Sequence, residues 1–384
     1  MSERKIKAWQ QAGLIDADTA TRIRAWEAAH ARPLGVWAIV GLGALTIGLG
    51  IVSVVAANWD AIPGEVRLAL HFALMAGLAA MILWRPRASS LDDYFHDALL
   101  FLAAVLGLTF FAHVGQVYQT SSPLWQPLLA WLVIFSPLLL LFGRGWPIAA
   151  LWMAGVLGTA WAHADEYQSG FRFDGSVAAA PAHPEIYWGL IFCPPMIVAA
   201  LAAVMRGRSE RPSFWRLLEQ LALVAIFAGL SLFIVAGAWD GTDRSFMVSI
   251  AIQSLAIVAA AAAIFAARRT RSGQATAAIL AVGAVLHLAA RTVSTVEGPW
   301  IGTLLFLMLW GAVAGGALYA GWRRIFQAAV ALIALRIIIL SFELNDLLGG
   351  GVGLILSGAF AMAVAWATIR ISKTYAPAPE TAHD

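Results

Sequence analysis

Charged side chains are scarce in this chain. Of its 384 residues, 12% are Asp, Glu, Lys or Arg and 61% are hydrophobic, and the mean hydropathy is +0.78. A soluble globular protein carries about 25% charged residues and about half apolar ones. We therefore expect lipid to surround most of this chain, so the usual lengths of soluble domains do not apply to it.

Cysteine is nearly absent as well, since Cys193 is the single one. One cysteine forms no internal disulfide and completes no zinc-finger set. The formal net charge is only +3 and the basic residues are scattered between apolar runs, so no nucleic-acid partner is expected. The sequence also lacks a Gly-x-Ser-x-Gly elbow, a phosphate-binding loop and a His-Glu-x-x-His motif. These absences predict no cofactor, no metal site and no catalytic residues, and they argue against an enzyme.

No cleavable signal is evident, because residues 1–33 are polar and the apolar run that follows is long enough to span a membrane. Within this segment Gly13 separates two helical patterns with one tryptophan each, and Asp16 or Asp18 can cap the second. A cytoplasmic helical hairpin closed by the two tryptophans is the favoured interpretation. An amphipathic helix on the membrane surface is the alternative.

Twelve apolar segments follow, each of about 18–24 residues, the length that crosses a bilayer as a helix. The fold class predicted is therefore all-α, a polytopic bundle of transmembrane helices over residues 34–371, with a disordered cytoplasmic tail at 372–384. The predicted spans are 35–57, 64–84, 94–113, 125–142, 146–163, 185–205, 214–237, 244–267, 274–294, 299–320, 325–344 and 350–370.

Lys and Arg residues are distributed unevenly between the connections of these spans. The termini and every second connection hold 19 of the 25 Lys and Arg residues, the other connections hold only Arg172, and five lie within spans. Basic residues accumulate on the cytoplasmic side of bacterial inner-membrane proteins. The alternation therefore predicts an inner-membrane protein with both termini in the cytoplasm.

Two further patterns concern how the helices are arranged. The sequence ending at Asp60 resembles the one ending at Asp240, which suggests two halves of six spans, 34–205 and 214–371. Gly311 and Gly315 have the spacing that lets helices approach closely in lipid. Packing within one chain is favoured over a dimer interface, and the oligomeric state is left open.

Polar side chains inside the predicted spans concentrate in the half of the membrane away from the cytoplasm. Charged and imidazole groups at this depth are costly unless they are paired or hydrated, so each is a candidate functional residue. Nine residues are predicted to line an outward-facing cavity: Asp60, Arg67, His71, His113, Gln116, His287, Arg291, Arg336 and Glu343. The arginines would bind an anionic lipid or a small anionic metabolite. Internal ion pairs that tie helices together are the alternative.

Two motifs carry a resemblance to a known family. They are Ala-Ala-Asn-Trp-Asp-Ala-Ile-Pro, from Ala56 to Pro63, and Gly-Gln-Val-Tyr-Gln-Thr, from Gly115 to Thr120. Over about residues 5–165 the chain resembles a bacterial family of multi-pass membrane proteins defined as a domain of unknown function. The resemblance implies a membrane protein and supplies no mechanism.

Three hypotheses of function follow from the sequence. The leading one is a transporter or lipid-handling permease, in which histidines or Glu343 couple protons to movement of the substrate. The second is a membrane scaffold or sensor that recruits a partner through residues 1–33. The third is an intramembrane transferase that uses Asp60 or Glu343 on a lipid-linked substrate.

Overall fold

The computed structural model describes residues 9–29, 61–84, 90–120, 122–169, 182–236, 246–292 and 299–344, with single positions at 6, 46, 359, 362, 366 and 370. The regular secondary structure of these residues is helical. The chain divides into two compact units, Met1–Arg67 and Leu68–Asp384.

The helices are numbered in chain order. They are α1 (Ala17–Ala29), α2 (Gly64–Trp84), α3 (Ser90–Tyr118), α4 (Trp125–Phe142), α5 (Trp146–Ser169), α6 (Pro184–Ile191), α7 (Pro194–Arg208), α8 (Pro212–Ala236), α9 (Phe246–Ala267), α10 (Arg271–Thr292), α11 (Pro299–Tyr319) and α12 (Arg323–Leu344).

The first unit has the turn that its sequence predicts. Gly13 adopts φ +69°, which a residue with a side chain rarely does, and the Leu14 amide donates to the Trp9 carbonyl at 3.0 Å. Asp16 then caps α1, because its Oδ1 accepts from the Thr19 amide at 2.7 Å. Hydrogen bonds from the side chain and backbone of Thr19 lower the pKa of Asp16. Trp26 is 63% exposed, and a hairpin closed by the two tryptophans stays a prediction.

The prediction of a multi-span helical bundle is confirmed, whereas the number twelve stays a prediction. Among the described residues, seven helices are long and apolar enough to cross a membrane, or eight if one bent pair counts as a span. The seven are Gly64–Trp84, Phe95–Tyr118, Trp125–Phe142, Pro212–Val235, Met247–Ala267, Arg271–Ala290 and Ile301–Tyr319. Helices α5 and α12 lie at predicted spans but are not among them. The predicted span 35–57 apart from position 46, and the predicted span 350–370 apart from four single positions, lie outside the described residues.

The predicted continuous span 185–205 is in fact two helices. Helices α6 and α7 meet at a bend of 41°, and α7 begins with Pro194 and Pro195. Proline has no amide hydrogen to donate to the preceding turn, so two in succession end α6 and start a new helix. The thiol of Cys193 lies at this break and donates to the Gly189 carbonyl at 3.1 Å.

Helix packing in the second unit depends on close contacts of large and small side chains. Trp131 of α4 is 1% exposed, and its indole nitrogen donates to the Ala104 carbonyl of α3 at 2.7 Å. A Cβ at Gly311 or Gly315 would meet no atom of the described residues within 4 Å, so close approach of helices at these two positions stays a prediction. A close approach is present at Gly316, where a Cβ would lie 2.6 Å from the Ile279 side chain.

Candidate functional site

Two of the nine predicted cavity residues are in direct contact. His71 of α2 is 8% exposed, and its Nδ1 lies 2.9 Å from the Nδ1 of His113 on α3. The Nε2 of His71 lies 2.9 Å from the Leu106 carbonyl, which only accepts. His71 therefore carries a proton on Nε2. The two rings form a hydrogen-bonded link between α2 and α3.

Three polar side chains are buried on the three consecutive helices α10, α11 and α12. His287 is 3% exposed, Thr303 is 2% exposed and Arg336 is 5% exposed. The His287 ring lies 4.4 Å from the ring of Phe233 on α8, measured between centroids. Neither ring nitrogen of His287 nor the Thr303 hydroxyl has a hydrogen-bond partner among the described residues. Helix α11 packs against both α10 and α12.

These three residues lie in the halves of their helices that the charge pattern predicts to be away from the cytoplasm. His287 comes five residues before the end of α10, Thr303 four residues after the start of α11, and Arg336 eight residues before the end of α12. At about 1.5 Å per residue, these positions are roughly 7.5, 6 and 12 Å from those helix ends. We call His287, Thr303 and Arg336 the buried polar trio.

The other predicted residues have local contacts or lie beyond what the structure describes. Arg67 donates from Nε to the Ile62 carbonyl at 2.7 Å, and Gln116 is exposed near the end of α3. Arg291 and Glu343 belong to the last turns of α10 and α12, without described side chains, and Asp60 lies outside the described residues. A single cavity that joins all nine residues stays a prediction.

At the opposite end of these helices, charged side chains join the connections to one another. Buried Glu219 of α8 forms salt bridges with Arg268, which follows α9, and with Arg206 of α7, the latter at 3.6 Å. Asp97 of α3 accepts from the amides of Arg144 and Gly145, between α4 and α5, at 3.1 and 2.5 Å. We call this region the basic end. It holds connections that the charge pattern assigned to one side of the membrane.

A cluster of aromatic side chains lies where α4 begins, α5 ends and α6 begins. The Trp125 indole donates to the Glu166 carboxylate, and its ring meets His163 edge to face at 4.6 Å. The Tyr187 hydroxyl lies 2.6 Å from the Nδ1 of His163 and donates to the His163 carbonyl at 3.1 Å. Tyr167 packs edge to face on Tyr187 at 4.9 Å. We call these residues the aromatic cluster.

Sequence reasoning missed the aromatic cluster and the Glu219 ion pairs. The predicted fifth span ends at residue 163, so Glu166 falls in the connection that follows, whereas α5 continues to Ser169. Glu219 lies in the predicted span 214–237, and Arg206 and Arg268 lie in predicted connections. Each of these two arginines lies within two residues of a helix end, which is the signal that could have identified the ion pairs.

The helices and their buried polar groups define a class of protein, a multi-pass α-helical membrane protein. The model of the family described as "Predicted membrane protein (DUF2157)" matches residues 7–148. This match confirms the family resemblance over that stretch, which contains both sequence motifs. No curated protein and no solved structure matches the chain.

Proposed function

We propose that this chain is a transport protein of the bacterial inner membrane, with both termini in the cytoplasm. Its substrate would be a small anionic metabolite or the anionic head group of a lipid. The buried polar trio would bind that anion in the outer half of the bundle. The observation that carries the proposal is the burial of His287 and Thr303 without hydrogen-bond partners among the described residues.

The energetic cost of such groups supports a functional role. A buried polar group without a hydrogen bond costs about 1–3 kcal/mol, and an apolar side chain of similar shape would avoid that cost. Helices α10 and α11 each retain one such group, and α12 buries an arginine. Ionisable residues within membrane helices usually face a substrate path or a partner within the bundle.

The chemistry of the trio favours an anion. Arg336 contributes a permanent positive charge and a guanidinium with several N–H donors, while the Thr303 hydroxyl and a neutral His287 ring each offer one donor. A carboxylate or phosphate accepts several such hydrogen bonds at once. Binding would thus supply an acceptor to Thr303 and His287, which have no hydrogen-bond partner among the described residues, and protonation of His287 would strengthen binding of the anion.

The test uses the purified full-length protein and a panel of carboxylates and phosphate monoesters. At least one anion should raise the unfolding temperature of the wild-type protein and be taken up by proteoliposomes. His287→Leu and Arg336→Gln should weaken that anion's effect about tenfold or more, as expected for a lost hydrogen bond to a charged group. Arg324→Gln is the matched control, because it removes an exposed arginine near the start of the same helix.

The stability of His287→Leu separates a functional from a structural role. Replacing an unsatisfied imidazole by an apolar side chain should leave the empty protein as stable as the wild type or stabilise it by about 1–3 kcal/mol. The proposal requires stability to be kept while anion binding is lost. It is wrong if no anion in the panel stabilises the wild type, or if both variants respond to the anion as the wild type does.

A second function is supported by a different observation. Leu14 and Trp26 of the first unit are 71% and 63% exposed, and exposed apolar side chains that form one patch mark protein–protein contact sites. We therefore propose, as the alternative, that residues 1–33 recruit a partner. Deleting residues 1–32 would then abolish function while Arg336→Gln leaves it intact, the reverse of what the transport proposal expects.

A further inference from the structure

A groove lies between α4 on one side and α7 and α8 on the other. Helices α4 and α8 both pack against α5, and α7 packs against α8. Helix α4 has no comparable packing against α7 or α8 in the described part of the chain. The space that remains has a volume of about 720 Å³.

The wall of the groove is mostly apolar and open to the surroundings of the bundle. It includes Leu132, Pro137 and Leu141 of α4, with Leu201 and Met205 of α7. Leu141 is 65% exposed and Leu201 is 45% exposed, as expected for side chains that face lipid. From Leu132 to Leu141 the wall extends about 13 Å along the helix, at about 1.5 Å per residue.

One end of the groove is polar and positively charged. Arg211 and Ser209, from the connection between α7 and α8, line it there together with Trp215. The Trp215 indole nitrogen has no hydrogen-bond partner among the described residues. This end coincides with the basic end, because Arg211 donates to the carbonyls of Leu140, in the last turn of α4, and Gly143, which follows α4.

Arg211 is not fully used by these two hydrogen bonds. A guanidinium has five N–H donors, so two bonds leave three N–H groups for another acceptor. Burial lowers the pKa of Arg211, the positive charge of Arg144 lowers it further, and the Asp97 carboxylate raises it. An anion beside the guanidinium would add to the effect of Asp97 and offset the first two causes.

We propose that this groove binds an anionic glycerophospholipid, with one acyl chain along the α4–α7 wall and the phosphate at Arg211 and Ser209. The occupant must be amphiphilic, because a soluble anion would leave the apolar wall without a ligand. It must carry net negative charge, because exposed Arg144, whose positive charge acts on Arg211, would repel the ammonium group of a zwitterionic lipid. Basic pockets between membrane helices are known to bind lipid head groups. This site is separate from the buried polar trio and does not depend on the transport proposal.

The test measures phosphatidylglycerol and phosphatidylcholine bound to the purified full-length protein by native mass spectrometry. The wild type should retain phosphatidylglycerol in preference to phosphatidylcholine. Arg211→Gln should lower phosphatidylglycerol binding about fivefold, the usual effect of one basic residue near an anionic lipid surface. Leu201→Trp should lower it by filling the groove while leaving Arg211 in place. Arg208→Gln is the control, because it removes an exposed arginine three positions away.

The variants separate lipid binding from a purely structural role of Arg211. Because Arg211 also donates to two carbonyls at the end of α4, Arg211→Gln removes these hydrogen bonds as well as the lipid contact. Leu201→Trp leaves these hydrogen bonds in place. It therefore tests lipid binding by itself if Arg211→Gln does not fold. The proposal is wrong if Leu201→Trp retains phosphatidylglycerol as the wild type does. It is equally wrong if Arg208→Gln loses as much lipid as Arg211→Gln, or if the wild type binds both lipids alike.

Discussion

The basic end and the half of the bundle that holds the buried polar trio use their polar side chains differently. At the basic end, Glu219 faces two arginines, Asp97 accepts from two backbone amides, and Arg211 donates to two carbonyls. In the other half, His287 and Thr303 are equally buried but have no hydrogen-bond partner among the described residues.

This difference separates structural from functional candidates. A buried charge that is paired and joins helix connections is explained by the stability of the bundle, although its net contribution is often small. A buried donor without a partner lowers stability and therefore calls for another explanation. The sequence suggested that polar residues were concentrated in the outer half. In the structure, Glu219, Asp97 and Arg211 at the basic end have charged or backbone partners, although the Trp215 indole there has no hydrogen-bond partner among the described residues; His287 and Thr303 have none either.

The largest expected effect concerns which end faces the cytoplasm. A reporter enzyme that is active only outside the cytoplasm should be active when fused after Gly175, between α5 and α6. The same reporter should be silent after Ser209 or Arg271, because the basic connections are expected to stay inside. Activity of the reporter in intact cells is the measurement. Activity at Ser209 with silence at Gly175 would invert the orientation and place the buried polar trio in the cytoplasmic half.

The next largest effect should follow from breaking the ion pairs at the basic end. Glu219 is 2% exposed, so Glu219→Gln leaves Arg206 and Arg268 without their carboxylate. Removing one partner of a buried ion pair usually destabilises a protein by about 3–5 kcal/mol. Thermal unfolding of the purified protein in detergent would measure the loss.

Glu210→Gln provides the control for this prediction. Glu210 is exposed at the same end, and exposed charges contribute about 0–1 kcal/mol. Equal stability of Glu219→Gln and the wild type would mean that the basic end is not held by this carboxylate. The ion pairs of the basic end could then no longer be called structural, in contrast to the buried polar trio.

The sequence predicts the helices of this fold better than their lateral contacts. Helices α2 and α4 have the predicted bounds, because length and apolarity along one segment are sufficient to define a span. The break at Pro194 was missed because the apolar run continues through it. His71 and His113 were both predicted, but their contact depends on the rotation of α2 and α3, which hydropathy does not specify.

Candidate sites show the same limit. His287 and Arg336 could be singled out because ionisable residues are conspicuous in apolar runs. Thr303, Arg211 and Tyr187 could not, since threonine is common in membrane helices and the other two lie near predicted loops. The structure identifies these three residues as candidates for different reasons. Thr303 is buried, whereas Arg211 and Tyr187 have hydrogen-bond partners distant in the sequence, Gly143 and His163.

The smallest expected effect tests whether the aromatic cluster is structural like the basic end. Tyr187→Phe removes a hydroxyl that lies between the Nδ1 and the carbonyl of His163, while the ring contacts remain. Because a hydrogen bond contributes about 0.5–1.5 kcal/mol, we expect a loss of about 1 kcal/mol in thermal unfolding. Tyr319→Phe is the matched control at the basic end, where an exposed hydroxyl donates to Gln274 at 2.9 Å and its loss should have little effect. If Tyr187→Phe also leaves thermal unfolding almost unchanged, the Tyr187 hydroxyl does not stabilise the fold through its hydrogen bonds. The aromatic cluster would then be a candidate binding site, as the buried polar trio is.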